Sequence, residues 1–262
     1  MLLAIDCGNT DIVFGIFDGI KLRHHWRVKS FTASNHHHFL VLLLEKLKNL
    51  NIPLHRIKHV IFASVVNEAS SCFLFLENSL SIPFSAIPSP SLKLPIDIDL
   101  PDPSQVGADR IVNAVAGFKL TNSNVIIVDF GTATTFDIVK TVCGKPVYSG
   151  GIIAPGINLS VDALSKAASK LPKIDFNQYP DSVAIIGKNT QDAMWSGIIW
   201  GYVGLIEGII KKIRTEEGGD FAIIATGGLA GLYLPYCELI KWQEPELTLL
   251  GLRQIAKNNG FI

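Results

Sequence analysis

The sequence predicts an α/β fold built from two related halves that face each other across a nucleotide cleft. Three observations carry that expectation. Asp6-Cys7-Gly8-Asn9-Thr10 and Asp129-Phe130-Gly131-Thr132-Ala133 repeat one pattern of acid, glycine and small polar side chain. Each loop follows an apolar run that reads as a buried strand, Leu2 to Ile5 and Val125 to Val128. Each is followed by further strand-like stretches, a helix and another strand, so the order of elements recurs about half a chain apart.

The elements follow in order. Residues 2–6, 12–17 and 21–28 read as three consecutive strands, with Asp18-Gly19 as the turn between the second and third. Phe39, Leu40, Leu43, Leu44 and Leu47 have helical spacing within 33–50. Residues 59–66 form a short apolar strand and 67–80 a second helix. The proline-rich stretch 82–103 reads as an extended connector or active-site loop. A helix follows over about 106–120. The opening pattern then returns as strands at 125–129, 134–139 and 146–149. Gly150-Gly151 and Pro155-Gly156 mark the next turn, and a helix runs on to about residue 170. Residues 171–181 make a loop. A long helix at 190–214, a strand at 221–225, a tight turn at Thr226-Gly227-Gly228 and a final helix at 247–258 complete the chain. The halves divide near residue 118, into 1–118 and 119–262, with the last helix free to pack back on the first.

Composition narrows the function. Of the 262 residues, 48% are hydrophobic and 18% charged, which supports a sizeable core. The formal net charge is zero, whereas a nucleic-acid groove shows a basic excess, so no nucleic-acid partner is expected. Cys7, Cys72, Cys143 and Cys237 form no C-x-x-C pair and suggest no disulfide framework, in keeping with a reducing cytoplasm. The opening residues meet Asp6 too early for a signal-peptide core. The stretch 193–210 is long and nearly uncharged. Glu207 interrupts it and Asp192 and Lys211 border it, so it reads as a buried helix and no membrane span is expected.

The loops suit phosphate chemistry. Asp6 ends a buried strand, where its carboxylate can hold Mg²⁺ directly or through water, because Mg²⁺ keeps several waters beside one or two carboxylates. Gly8 lets the backbone approach phosphate closely, and Asn9 and Thr10 supply donors. Asp129, Gly131 and Thr132 repeat that chemistry from the opposite side. One such loop alone is as readily an ordinary hairpin turn. Two copies, each at the end of a buried strand and each with a threonine, point to phosphate. Neither is a Walker A sequence or a G-x-G-x-x-G turn. Ala225-Thr226-Gly227-Gly228-Leu229-Ala230 offers either a backbone seat for an adenine ring or a simple turn.

Together these residues resemble the type III pantothenate kinases, members of the acetate and sugar kinase, heat-shock-protein and actin superfamily. The resemblance extends over nearly the whole chain. It is carried by the two loops and by Trp26-Arg27, Ser64-Val65-Val66, Gly107-Ala108-Asp109-Arg110, Gly150-Gly151-Ile152, Ala154-Pro155-Gly156, Asn189-Thr190, Met194 and Gly197. The Gly107–Arg110 tetrad discriminates, since other superfamily members share the loops without it. The resemblance implies two tandem ribonuclease-H-like domains, the actin-like ATPase fold, with a nucleotide cleft between them. It implies ATP-dependent phosphorylation of the terminal primary hydroxyl of pantothenate to 4′-phosphopantothenate, the first step towards coenzyme A. It further implies Mg²⁺, a monovalent cation (K⁺ or NH₄⁺) and a cytoplasmic homodimer.

Carried residue by residue, the resemblance places ATP on Asp6, Cys7, Gly8, Asn9, Thr10, Asp11, Ile12, Val13 and Thr132. It places pantothenate on Gly107, Ala108, Asp109, Arg110 and Thr190, the last offered across the dimer interface. Asp129 becomes the monovalent-cation ligand and Asp109 the general base. From spacing alone, Asp109 is a first-turn helix acid that complements the dipole, and Thr190 a helix N-cap hydroxyl. The catalytic reading is chemically sound, because an alcohol attacks phosphorus poorly until a carboxylate in reach accepts its proton. Two stretches depart from the family pattern. The segment Asp99-Leu100-Pro101-Asp102-Pro103 lacks the tyrosine many members carry there, and 31–36 replaces a Thr-Ala-Asp-Glu-Tyr stretch. Both bear on pantothenate recognition and leave the ATP chemistry intact.

Other features invite weaker readings. Adjacent side chains on a helix point in different directions, so His36-His37-His38 reads as a solvated helix start instead of a metal site. Gly197, Gly201, Gly204 and Gly208 make a smooth helix face for close packing, against the core or at a subunit interface. Two rival functions stay open: a non-catalytic nucleotide-binding regulator on the same scaffold, and a related kinase of sugars or acetate. Asp109 and Asp129 argue against the first, and a substrate panel separates the second.

Overall fold

The computed structural model describes residues 1–30, 36–66, 69–168 and 170–262. β1 (Leu2–Cys7) carries no polar residue before Asp6 and is buried at every position but that acid, as a central strand covered on both faces must be. It pairs antiparallel with β2 (Asp11–Asp18), and β2 with β3 (Lys21–Lys29). On its other side it pairs parallel with β4 (His59–Ser64), which in turn pairs parallel with β5 (Phe84–Ile87). Two helices, α1 (His36–Asn49) and α2 (Ala69–Leu80), bring Phe39, Leu43, Leu47, Phe73 and Leu76 onto a core with Leu3, Ile5 and Phe14.

The second sheet repeats the plan. β7 (Val125–Phe130) pairs antiparallel with β8 (Ala133–Val142), beyond which lies β9 (Lys145–Pro155). On its other side β7 pairs parallel with β10 (Ala222–Thr226), and β10 with β11 (Trp242–Gln243). The two-residue β6 (Asp97–Ile98) joins the edge at Val147 and Tyr148. The strands therefore run β3-β2-β1-β4-β5 in one sheet and β9-β8-β7-β10-β11 in the other. Both read third, second, first, fourth, fifth, which is the ribonuclease-H-like order in duplicate. β1 and β7 even share one burial pattern, with only the acid at the fifth position leaving the core.

The chain forms two compact units. The first holds Met1–Leu120, Val142–Tyr148 and Glu246–Ile262; the second holds Thr121–Thr141 and Ser149–Pro245. Helices α3 (Ala108–Thr121) and α7 (Leu247–Asn258) both belong to the first. They meet so closely that a Cβ on Gly251 would overlap the Val112 carbonyl. Thr248 Oγ1 donates to the buried Asn113 Oδ1 at 2.8 Å. Beyond α7, Phe261 stacks on His59 of β4 with ring centroids 3.8 Å apart.

In the second unit, α5 (Thr190–Glu217) lays Trp195, Ile199, Val203, Ile206 and Ile210 along the sheet at steps of three and four, the stripe of a helix facing a core. By length and composition alone this helix could cross a membrane, but its buried stripe is the core of its own unit. The helix α4 (Ile157–Ala167) adds Ile157 and Val161 to that core, and the one-turn α6 (Ala230–Tyr233) adds the fully buried Tyr233.

Several expectations need correction. The stretch 82–103 is not wholly irregular: β5 lies within it, hidden between Pro83 and Pro88 as a four-residue edge strand, a position where flanking prolines are tolerated. Gly150-Gly151 does not end the third strand of the second half. β9 runs through both residues, and Gly150 takes φ +114° inside it, a value open to glycine. α4 stops at Ala167, short of residue 170. The expected helix starts at 33 and 67, and the variant stretch 31–35, lie outside the described residues.

Candidate active site

The first unit gathers three of the singled-out segments at one end of its sheet. Asp6 is the penultimate residue of β1, opposite Val13 across the hairpin and Ala63 on the parallel side. Parallel strands β1 and β4 end here, and the carboxyl ends of such strands are where α/β sheets bind ligands. The Gly8 N–H donates to the Asp11 carbonyl at 3.0 Å and closes a hairpin with Asn9 and Thr10 at its exposed tip. Cys7 and Ile12 turn inward to the core, so only their backbone can serve a nucleotide. Burial pushes the Cys7 thiol pKa up. Asp11 is held by Lys29 at 3.1 Å and Arg27 at 3.5 Å.

Ser64-Val65-Val66 leaves β4 beside this hairpin, and the Val65 N–H donates to the Cys7 carbonyl at 3.2 Å. The tetrad comes next. A Cβ on Gly107 would stand 3.8 Å from Val65 Cγ1 and 2.7 Å from Asp109 Oδ1. The Asp109 carboxylate is thus folded back over Gly107, into space that only a glycine leaves. The Gly107 carbonyl accepts the Ile111 N–H at 3.2 Å to open α3, and Asp109 Oδ1 accepts the Arg110 N–H at 2.8 Å. Asp109 therefore does act as a first-turn acid. Burial nevertheless raises its pKa, against the lowering effect of the Arg110 N–H and the Arg110 charge. A carboxylate less acidic than usual is a better proton acceptor.

In the second unit, Asp129 holds the place in β7 that Asp6 holds in β1, opposite Thr135 across the hairpin and Thr226 on the parallel side. Its turn is one residue tighter: the Gly131 N–H donates to the Ala133 carbonyl at 3.1 Å, with Thr132 at the exposed tip. Two glycines press on it. A Cβ on Gly156 would overlap the Thr132 carbonyl. One on Gly227, where φ is +89°, would stand 2.5 Å from Asp129 Oδ1. Pro155-Gly156 reads from the sequence as a turn, and Thr226-Gly227 as a turn or an adenine seat; in the structure both glycines are seats for the loop. Their only signal was glycine after strand ends. Thr134, fully buried beside the loop, has no hydrogen-bond partner for its hydroxyl among the described residues.

Thr190 is the first residue of α5, not its cap. Asn189 takes that role, its side chain accepting the Asp192 N–H at 2.9 Å. Thr190 instead lines an apolar cavity of about 440 Å³ with Ser160, Leu164, Met194, Gly197 and Tyr202. Gly197, Gly201, Gly204 and Gly208 are exposed. Nothing among the described residues lies within 4 Å of where their Cβ atoms would stand, so this face does not pack on the core.

No three His, Cys, Asp or Glu side chains converge among the described residues. His36 and His37 lie against Phe75 instead of sharing a metal site. The donors beside both loops are oxygens: Asp6 with Asn9 and Thr10, and Asp129 with Thr135 and Thr226. Such a set fits hard cations that take most of their ligands from phosphate and water.

Comparison with known proteins shows the family. A family model described as type III pantothenate kinase matches residues 2–212. The type III pantothenate kinase of Moorella thermoacetica is 41% identical over 99% of this chain and 100% of its own length. That of Paramagnetospirillum magneticum is 43% identical, over 99% of this chain and 98% of its own. Among solved structures, the activator of 2-hydroxyisocaproyl-CoA dehydratase from Clostridium difficile, with bound ADPNP, aligns over 100% of this chain and 97% of its own. Its TM-score is 0.55 at 11% identity, a likeness of fold alone.

Proposed function

The chain belongs to the type III pantothenate kinase family, and from that premise we propose how its residues divide the work. It uses ATP to phosphorylate pantothenate, the first step of coenzyme A biosynthesis. Asp109 is the general base. It accepts the proton of the terminal primary hydroxyl as that oxygen bonds to the γ-phosphorus and the bond from phosphorus to the β–γ bridging oxygen breaks. ADP and 4′-phosphopantothenate leave, and the proton passes from Asp109 to solvent. Gly8, Asn9 and Thr10 are the phosphate contacts of the first unit, and Thr132 is an ATP contact of the second. Arg110 meets the negative charge of substrate. Asp6 would hold Mg²⁺ and Asp129 K⁺ or NH₄⁺, whose charge offsets that on the transferring group when they are bound.

The observation that carries this reading is the Asp109 carboxylate, seated on Gly107 beside the strand end that bears Asp6, with its pKa raised by burial. The test is Asp109→Asn, assayed with saturating ATP, Mg²⁺ and K⁺. The expected result is a loss of kcat of about 10²- to 10⁴-fold, with the far-ultraviolet circular dichroism and ATP binding unchanged. A folded variant keeping a tenth of the wild-type rate would remove Asp109 from the role.

The enzyme works as a cytoplasmic homodimer through the open glycine face of α5, which runs into the cavity that Thr190 lines at Gly197. Ile153, Leu159, Leu164, Ile185 and Ile186 of the same unit are exposed, which a second copy would cover. Sedimentation of the purified protein is expected to give twice the chain mass, and a monomer at micromolar concentration would end this part of the reading.

A further inference from the structure

We propose that Ser30 is a positioning residue for nucleotide binding, fixing the first phosphate loop from the β3 side. The inference rests on the reading of Asp6 to Thr10 as an ATP loop. Ser30 follows directly on β3 and makes two hydrogen bonds to two different carbonyls of that loop. Its Oγ donates to the Gly8 carbonyl at 2.7 Å, and its N–H donates to the Thr10 carbonyl at 2.9 Å. These two carbonyls bracket Asn9, the tip of the hairpin. In a planar trans peptide the C=O and the following N–H point to opposite sides. Tying the Gly8 carbonyl to Ser30 therefore turns the Asn9 N–H away from β3, the direction in which a phosphate bound at the tip would need a donor.

The brace is wider than one residue. Lys29 and Arg27, at the end of the same strand, hold the Asp11 carboxylate at 3.1 and 3.5 Å. The end of β3 thus grips the loop at Gly8, Thr10 and Asp11. The salt links are exposed on the basic side and weakly held in water. The part-buried Ser30 hydroxyl bond, at 2.7 Å, is the member that fixes backbone direction.

The experiment measures steady-state kinetics with each substrate varied, and Mg-ATP binding by calorimetry, for wild type, Ser30→Ala, Ser30→Thr and Ser30→Cys. Loss of one oriented hydrogen bond predicts a rise of about five- to tenfold in the KM and Kd for ATP in Ser30→Ala. The KM for pantothenate and kcat should stay within twofold. Ser30→Thr, which keeps the hydroxyl, should restore the ATP values, and Ser30→Cys, a weak donor, should fall between. Unchanged ATP affinity in Ser30→Ala overturns the proposal. So does an equal rise in both KM values, because a merely structural defect would not single out ATP. A wild type that binds ATP but never turns over pantothenate would sink the kinase reading and leave the binding comparison intact.

Discussion

The two acid–glycine loops occupy equivalent places in equivalent sheets, yet they are held in different ways. The first is braced by hydrogen bonds and ion pairs reaching in from β3, with Ser30 on two of its carbonyls. The second is wedged: Gly156 lies against the Thr132 carbonyl and Gly227 against Asp129. A brace of hydrogen bonds weakens one bond at a time. A wedge fails at once, because a methyl added at Gly156 has only backbone to push, and one at Gly227 meets the Phe130 backbone as well as Asp129. Duplication has thus preserved where the acid sits while each half found its own means of keeping it there.

The sharpest way to break this comparison is a pair of matched substitutions. Gly156→Ala should destabilise the protein by about 3 kcal/mol, through overlap with a main-chain carbonyl. Gly8→Ala should cost about 1 kcal/mol, because its new methyl would meet only the Asp11 carbonyl at 3.1 Å. Urea unfolding of both variants decides the matter, and equal losses would show that the loops are held alike.

A smaller effect concerns the acid in the first unit that is not part of either loop. Because burial raises the pKa of Asp109, the folded state binds its proton more tightly than the unfolded chain. Its contribution to stability is therefore fullest below the ordinary carboxylate value and is lost as pH rises through the raised one. Asp109→Asn should be slightly more stable than wild type at neutral pH, with the advantage shrinking on acidification. The acid limb of kcat/KM should lie above the ordinary carboxylate range. A limb at or below that range would show that Asp109 is not the titrating base.

Much of this was legible in the residues. The last helix is found at 247–258 as its periodicity predicts. Both acid-bearing strands were readable because a run such as Val-Ile-Ile-Val bounded by an acid has few other uses. β5 was not, since four residues between prolines carry no period. Thr190 looked like a cap because Asn189 and Thr190 are both good N-cap residues, and only backbone geometry chooses between neighbours. The supports of the loops were also out of reach. Ser30 lies twenty-two positions from Gly8, and nothing in local spacing reports a contact over that distance.

The opening strands and the closing helix belong to one unit: Leu249 lies against Gly15 of β2, and Phe261 lies on His59. A ribosome making this chain delivers the beginning of that unit first and its final piece last. The amino-terminal sheet must therefore wait, incompletely covered, until residues 246–262 emerge, while the second unit has all its own parts in hand earlier. The half that is written first is the half that is finished last.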